Sequence, residues 1–238
     1  MSSPGSATAD AARDDRYRTR LLVVAAICAV AGVAAFAIDL PVARWCRQEP
    51  PPLPGDLLKF LDLAEAFAHG LGVAALVMTL LAADPHFALP LPGRPPGARR
   101  NFLRFVTVAV VGGLVVGLFK ACFERTRPFA ADLAALGSVF DTFGTPHFSL
   151  RRAARLMSFP SGHAAAAAGL AAALGWMYPH GRIAFAVLAA ASAAQRVVAS
   201  AHYPSDVCFG AAIGLAAAAA FVGGRPPWRR TVAVAADT

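Results

Sequence analysis

The chain has 238 residues, of which 57% are hydrophobic and only 15% are charged. Soluble domains carry roughly a quarter charged residues. This balance, with a mean hydropathy of +0.55, excludes an ordinary soluble domain and points to a single-domain integral membrane protein. The net charge of +8 is almost all arginine, with Lys59 and Lys120 the only lysines. Because the cations punctuate apolar segments rather than forming one face, no nucleic acid partner is expected and the bilayer is the expected partner.

Residues 1–20 are small and polar, with Arg13, Arg16, Arg18 and Arg20 next to the first apolar run, and read as a disordered tail. The run at 21–38 exceeds the roughly 7–15 apolar residues of a signal peptide and is long enough to span. A loop at 39–59, broken by Pro50, Pro51, Pro52 and Pro54, leads to a second span at 60–83. That span carries Asp62, Glu65 and His69, whose spacing of three and four predicts one helical face. Ionisable groups at membrane depth are functional candidates; the plainer reading is two carboxylates at the interface and a histidine satisfied inside the bundle.

A Pro/Gly/Arg-rich loop at 84–104 precedes a third span at 105–123, where Gly113 and Gly117 form a small-xxx-small pattern suited to close helix packing. The long loop 124–158 carries Arg125, Arg127, Arg151, Arg152 and Arg155. Three further spans are expected at 160–178, 182–201 and 205–223, the last with Gly210 and Gly214 on one face, followed by a tail at 224–238. Cys28, Cys46, Cys122 and Cys208 are scattered with no CxxC pair, so neither a zinc site nor a disulfide framework is expected.

The expected fold is therefore an all-α bundle of six transmembrane helices at 21–223 with two cytoplasmic tails. Six spans put both termini on one side. That side carries twelve cations against seven on the other, leaving aside Lys120, Arg127 and Arg196, and the excess favours the cytoplasm. Three polar clusters then fall together on the opposite, non-cytoplasmic face: Lys120 with Arg127-Pro128, Pro160-Ser161-Gly162-His163, and Arg196 with His202 and Asp206.

These clusters contain what is needed to hold a phosphate and attack it. Lys120, Arg127 and Arg196 neutralise phosphate oxygens, arginine as a planar fork and lysine as a point charge. Ser161 and Gly162 open a helix, where free N–H groups and the positive dipole end favour an anion, and Gly162 has no side chain to block it. Asp206 follows His202 by four residues, so its carboxylate can hold one ring nitrogen and leave the other to attack phosphorus. His163 has no carboxylate nearby in sequence and reads as the proton donor to the leaving oxygen. HExxH or convergent carboxylates, the marks of a catalytic metal site, are missing, so neither a metal nor another cofactor is expected.

The clusters match KxxxxxxRP, PSGH and SRxxxxxHxxxD, and the chain from 120 to 206 resembles the type 2 phosphatidic acid phosphatase (PAP2) superfamily, which also includes soluble haloperoxidases. The resemblance implies that His202 is the nucleophile and forms a phosphohistidine, that Asp206 orients it, that His163 is the general acid, and that Lys120, Arg127 and Arg196 bind phosphate with Ser161 and Gly162. Gln195 stands where the family usually has Ser; its amide can still bond a phosphate oxygen. The expected function is a metal-independent membrane phosphatase acting on a lipid phosphate or pyrophosphate in the bacterial inner membrane. A lipid phosphotransferase using the same site is the alternative. An anion transporter fits less well, because no inverted repeat or broken midplane helix is evident.

Overall fold

The computed structural model describes residues 4–48, 53–91, 93, 96–150 and 153–221. Pro50, Pro51, Pro52, Arg94, Arg151, Arg152 and the 224–238 tail with Arg225, Arg229 and Arg230 lie outside them. Eight α-helices follow in order among the described residues: α1 Pro4–Ala35, α2 Asp39–Cys46, α3 Gly55–Glu65, α4 Gly70–Ala83, α5 Pro96–Cys122, α6 Gly162–Met177, α7 Arg182–Val198 and α8 Pro204–Phe221. Arg125 makes two isolated bridges, to Phe143 and Met157, and no strand forms among the described residues. The protein is an all-helical integral membrane protein.

The packing follows from side-chain size. α6 and α8 are rich in alanine and glycine, and their backbones touch. A Cβ on Gly210 would lie 2.3 Å from the Ser161 carbonyl oxygen, and one on Gly214 would lie 2.1 Å from that of Ala165. In a bilayer such close approach replaces the hydrophobic effect as a driving force between helices. α8 also packs on α1 and α5, while α6 packs on α5 and α7. The pattern at Gly113 and Gly117 does not act this way, since both face open space and the helix contact is made at Gly112 against Ala217, 3.9 Å away.

Among the described residues, four helices are long and apolar enough to cross a membrane alone: Asp14–Ala35, Gly97–Cys122, Pro179–Val198 and Pro204–Phe221. α6, with 16 residues, is about 24 Å long at ~1.5 Å per residue, short of a ~30 Å hydrocarbon core. It lies inside the bundle, and its buried face runs from Ala164 to Gly175.

The expected second span is broken. α3 and α4 meet at 63° across a short break. α4 begins against the chain leaving α3, and a Cβ on Gly72 would lie 1.8 Å from the Ala66 carbonyl oxygen. Only glycine allows that approach. His69 is the extended N-cap of α4, so it does not share a helical face with Asp62 and Glu65.

The expectation of a disordered 1–20 segment is also corrected, because α1 runs without interruption from residue 4. Tyr17 donates a hydrogen bond to the Ala172 carbonyl at 2.9 Å, and Trp176 Nε1 donates to Asp14 at 2.8 Å. The Arg182 guanidinium lies 4.5 Å from the Tyr17 ring centre. These contacts tie the start of α1 to the C-terminal end of α6, beside the core cluster of Leu21, Phe87, Phe105, Leu170 and Leu174. The polar clusters lie at the opposite end of α6.

Candidate active site

Each cluster sits where a helix starts or stops. Lys120 is in the last turn of α5, Arg196 in the last turn of α7, Ser161 at the N-cap of α6 and Asp206 in the first turn of α8. Backbone hydrogen bonds join them. Ser161 N–H donates to the Asp206 carbonyl (3.0 Å), Phe129 N–H to that of Ser200 (2.9 Å), and His202 N–H to that of Arg196 (3.0 Å). Ser200 adopts φ +52°, a left-handed turn uncommon outside glycine, and it reverses the chain between Arg196 and His202.

Behind His202 lies a buried charge network. Asp206 is fully buried and ion-paired with Arg125. Ser158 Oγ donates to Asp206 Oδ2 at 2.6 Å, and Tyr203 N–H donates to the same oxygen at 2.9 Å. His202 Nδ1 stands 3.7 Å from that oxygen, outside hydrogen-bond range but close enough for the carboxylate to act on the ring. Arg125, also fully buried, continues to Asp39 at 2.6 Å, and Asp39 accepts from Ser205 N–H at 2.9 Å. The Arg125 guanidinium lies 4.1 Å from the Tyr203 ring centre and 4.6 Å from that of Phe143. A buried cation needs such pairing, because its desolvation is costly.

Sequence reasoning missed Asp39, Arg125, Ser158 and Ser205. Arg125 reads in the sequence only as a loop cation; its signal is its place two residues before Arg127. Asp39 had none, lying in a segment read as loop.

On the other side stand the ionisable residues of α3 and the break. Glu65 accepts a hydrogen bond from Arg196 Nη1 and lies 3.7 Å from His163 Nε2. The His69 ring centre is 6.3 Å from that of His163. Gln195, expected to bond phosphate, has other contacts. Its Nε2 donates to Asp62 at 3.1 Å, and its Oε1 accepts from Arg196 Nη1 at 3.2 Å. Asp62 and Glu65 thus reach the site from one face of α3, as their spacing predicts, whereas His69 reaches it from the break before α4.

The start of α6 fits an anion. Ser161 Oγ accepts from Ala164 N–H at 3.3 Å, and Ala165 N–H bonds the Ser161 carbonyl at 3.2 Å. The N–H groups of Gly162 and His163 have no acceptor within the helix. A Cβ on Gly162 would make only an ordinary 3.7 Å contact with Val116, so packing does not dictate glycine there. Arg127 Nε, Arg196 Nε, His163 Nε2 and His202 Nδ1 are buried and meet no hydrogen-bond partner in the protein. Such atoms are rare in native structures, and four of the seven among the described residues belong to expected site residues, the others being on Arg99, Ser192 and Tyr203.

The fields of these groups overlap. Burial, joined by the charge of Arg196, pushes the Arg127 guanidinium below its ordinary value. Burial also pushes the His202 imidazole down, with Lys120 and Arg127 acting the same way and Asp206 opposing them. The balance disfavours the charged form of the His202 ring. Among the described residues no group of three or more His, Cys, Asp and Glu is placed to hold a metal ion.

A family model described as the PAP2 superfamily matches residues 101–230. Among curated proteins, one named lipid A 1-phosphatase from Rhizobium etli is 35% identical over 109 residues, 45% of this chain and 43% of that protein. A second of that name, from Rhizobium johnstonii, is 36% identical over 110 residues, 46% of this chain and 41% of that protein. The match thus spans less than half the length of these relatives. Among solved structures, LpxE of Aquifex aeolicus superposes with a TM-score of 0.54 at 21% identity, over 77% of this chain and 93% of that one. A transmembrane PAP2 type phosphatidylglycerolphosphate phosphatase from Bacillus subtilis gives 0.51 at 19% identity, over 84% and 92%. At these identities the likeness is one of fold.

Proposed function

Since the chain belongs to the PAP2 superfamily, we propose that it is a membrane lipid phosphatase working through a phosphohistidine. The observation that carries this reading is the meeting, at the start of α6, of cations from three separate segments with two histidines, several of their buried nitrogens lacking any protein partner.

Lys120, Arg127, Arg196 and the N–H groups of Gly162 and His163 hold the phosphate oxygens, and Ser161 shapes that helix start. Asp206 holds the His202 ring from the Nδ1 side. The other ring nitrogen, Nε2, attacks phosphorus: an N–P bond forms and the P–O bond to the lipid breaks. His163 gives its proton to the leaving oxygen. In the second half, water attacks phosphorus, its proton passes to His163, the N–P bond breaks and inorganic phosphate leaves. Charge neutralisation by side chains and helix start leaves no step that needs a metal.

The substrate class is a lipid with a terminal phosphate or pyrophosphate: phosphatidic acid, phosphatidylglycerophosphate, undecaprenyl pyrophosphate or a lipid A phosphate. The two curated relatives named lipid A 1-phosphatase favour the last. The chemistry sits at helix ends, at head-group depth. The charge excess supports an orientation with that end on the non-cytoplasmic face, taken here as that of a bacterial inner membrane, and with 1–20 and 224–238 on the cytoplasmic side.

The test is phosphate release by purified protein in detergent from a panel of these lipids, with glucose 6-phosphate and a nitrophenyl phosphate as soluble comparators and EDTA present. The lipids are expected to turn over more efficiently, and EDTA to leave the rate unchanged. Equal efficiency on soluble esters would remove the lipid assignment, and a loss that magnesium restores would remove the metal-free mechanism. Transfer of phosphate to a second lipid would identify a phosphotransferase. Orientation is tested in a cysteine-free background: a cysteine replacing Phe140 should be labelled from outside intact cells, and one replacing Pro95 should not. The reverse pattern would invert the topology.

A further inference from the structure

His163 is asked to deliver a proton, yet burial first, and then most of the charged and titratable groups around it, oppose its holding one. Those that face it are Lys120 from α5, Arg196 from α7, His202 from the turn before α8, and His69 from the break before α4. α3 adds Glu65, whose Oε1 lies 3.7 Å from His163 Nε2, and it is the one carboxylate among these neighbours. A carboxylate within ~4–6 Å favours the charged form of an imidazole, whereas nearby cations disfavour it.

We propose that Glu65 is a positioning residue for this reaction, holding His163 in its proton-donating form and fixing the Arg196 guanidinium at the phosphate. The inference rests on the phosphatase reading above. Glu65 forms no bond in the reaction. The proton on His163 Nε2 passes to the leaving oxygen as the His202 N–P bond forms and the lipid P–O bond breaks. It is replaced by a proton from water as the N–P bond is hydrolysed. Glu65 keeps its charge throughout.

The same carboxylate sets Arg196. By accepting from Nη1 it orients the guanidinium and leaves Nε, buried and without a protein partner, for a phosphate oxygen. Asp62, one turn earlier on α3, repeats the arrangement through Gln195, which bonds both Asp62 and Arg196. Residues three apart lie on one helical face, so α3 presents two carboxylates to two adjacent residues of α7. The break at Ala66–Gly72 ends α3 at the level where Glu65 reaches His163. Gln195 acts here as a spacer between Asp62 and Arg196, a length that serine at this position would not span.

A merely structural Glu65, tying α3 to α7, would lower activity and stability together without changing which protonation state works. The deciding readout is therefore the pH dependence of kcat/KM, from about pH 5 to 9, for phosphate release from a long-chain lipid phosphate in micelles. Wild type is compared with Glu65→Gln and Glu65→Asp. Glu65→Gln is expected to move the basic limb down by about one unit and to cut kcat at pH 7 at least about tenfold, with the acid limb in place. Glu65→Asp, whose shorter carboxylate stands farther from His163, is expected to put the basic limb between the two. A basic limb at the wild-type position in Glu65→Gln overturns the inference, however much activity is lost. Should that variant not fold, as judged by thermal unfolding, an unmoved limb in Glu65→Asp overturns it equally. A wild-type protein inactive on every lipid phosphate overturns the phosphatase reading and this inference with it. An active wild type with unmoved limbs in the variants overturns this inference alone.

Discussion

His202 and His163 face one site, and what stands behind them differs. His202 is backed by Asp206, Arg125 and Asp39, all fully buried and joined by ion pairs and hydrogen bonds to Ser158 and Ser205. His163 is backed by Glu65, whose side chain is 27% exposed, the last residue of α3 before the break. The first arrangement suits a nucleophile, which must keep one orientation and stay unprotonated. The second suits a proton carrier, whose charge must change twice in each turnover. A rigid, desolvated network resists a change of charge on the ring it holds, and a partly exposed carboxylate at a helix end tolerates one on its neighbour.

The comparison is broken most severely at the nucleophile. His202→Ala is expected to abolish turnover, a loss on the order of 10⁶ by analogy with other covalent catalysts, measured as phosphate release over the uncatalysed rate. Asp206→Asn leaves the imidazole in place but poorly oriented, and about 10⁴ should be lost. If Asp206→Asn retained nearly full activity, the buried network would not be serving His202.

Arg125→Met tests the network without touching phosphate. It leaves Asp39 and Asp206 buried and uncompensated, which costs about 3–5 kcal/mol. The expected result is a clear drop in thermal stability in micelles together with lost activity. A variant as stable as wild type would mean that the two carboxylates are neutral and that Arg125 is not their counter-charge.

A smaller effect sharpens the contrast by pH. Attack requires neutral His202, and burial lowers its pKa. Since protonation removes the nucleophile, activity should fall only as pH drops below the ordinary histidine value of about 6.5. An acid limb above that value, unchanged in Glu65 variants, would contradict the assignment of a depressed base to His202. The smallest effect is expected at Gln195→Ser. Glu65 still holds Arg196 there, so the loss should stay within about tenfold, roughly 1.4 kcal/mol of barrier, read from kcat/KM.

The contrast also explains what was legible in the sequence. The motif half was readable because its chemistry is local: His202 and Asp206 lie four residues apart on one turn, and Ser161, Gly162 and His163 are consecutive at a helix start. The supporting half was not, because its partners are remote. Arg125 and Asp39 are separated by 86 residues, and Arg196 and Glu65 by 131; no helical period or spacing rule links such pairs. Hydropathy found each apolar segment but not its bend, since Gly72 breaks the second span by admitting the Ala66 carbonyl rather than by lowering apolarity. Hydropathy also cut α1 at residue 21, where polar residues begin, although Asp14 and Tyr17 are ordered by contacts with Trp176 and Ala172. Glycine spacing was ambiguous by itself. Gly210 and Gly214 meet a neighbouring helix and Gly113 and Gly117 do not, and only the arrangement of the helices decides which pair is used.

The central claim is covalent catalysis at His202, and trapping the intermediate tests it most directly. Purified wild-type protein is mixed briefly with a lipid carrying a ³²P-labelled terminal phosphate, denatured in alkali and cleaved into peptides. The expected result is an acid-labile, alkali-stable label on the peptide containing His202, missing from His202→Ala and accumulating in a variant slow in the hydrolytic step. Label on any other residue, or phosphate release at the wild-type rate by His202→Ala, would contradict the account.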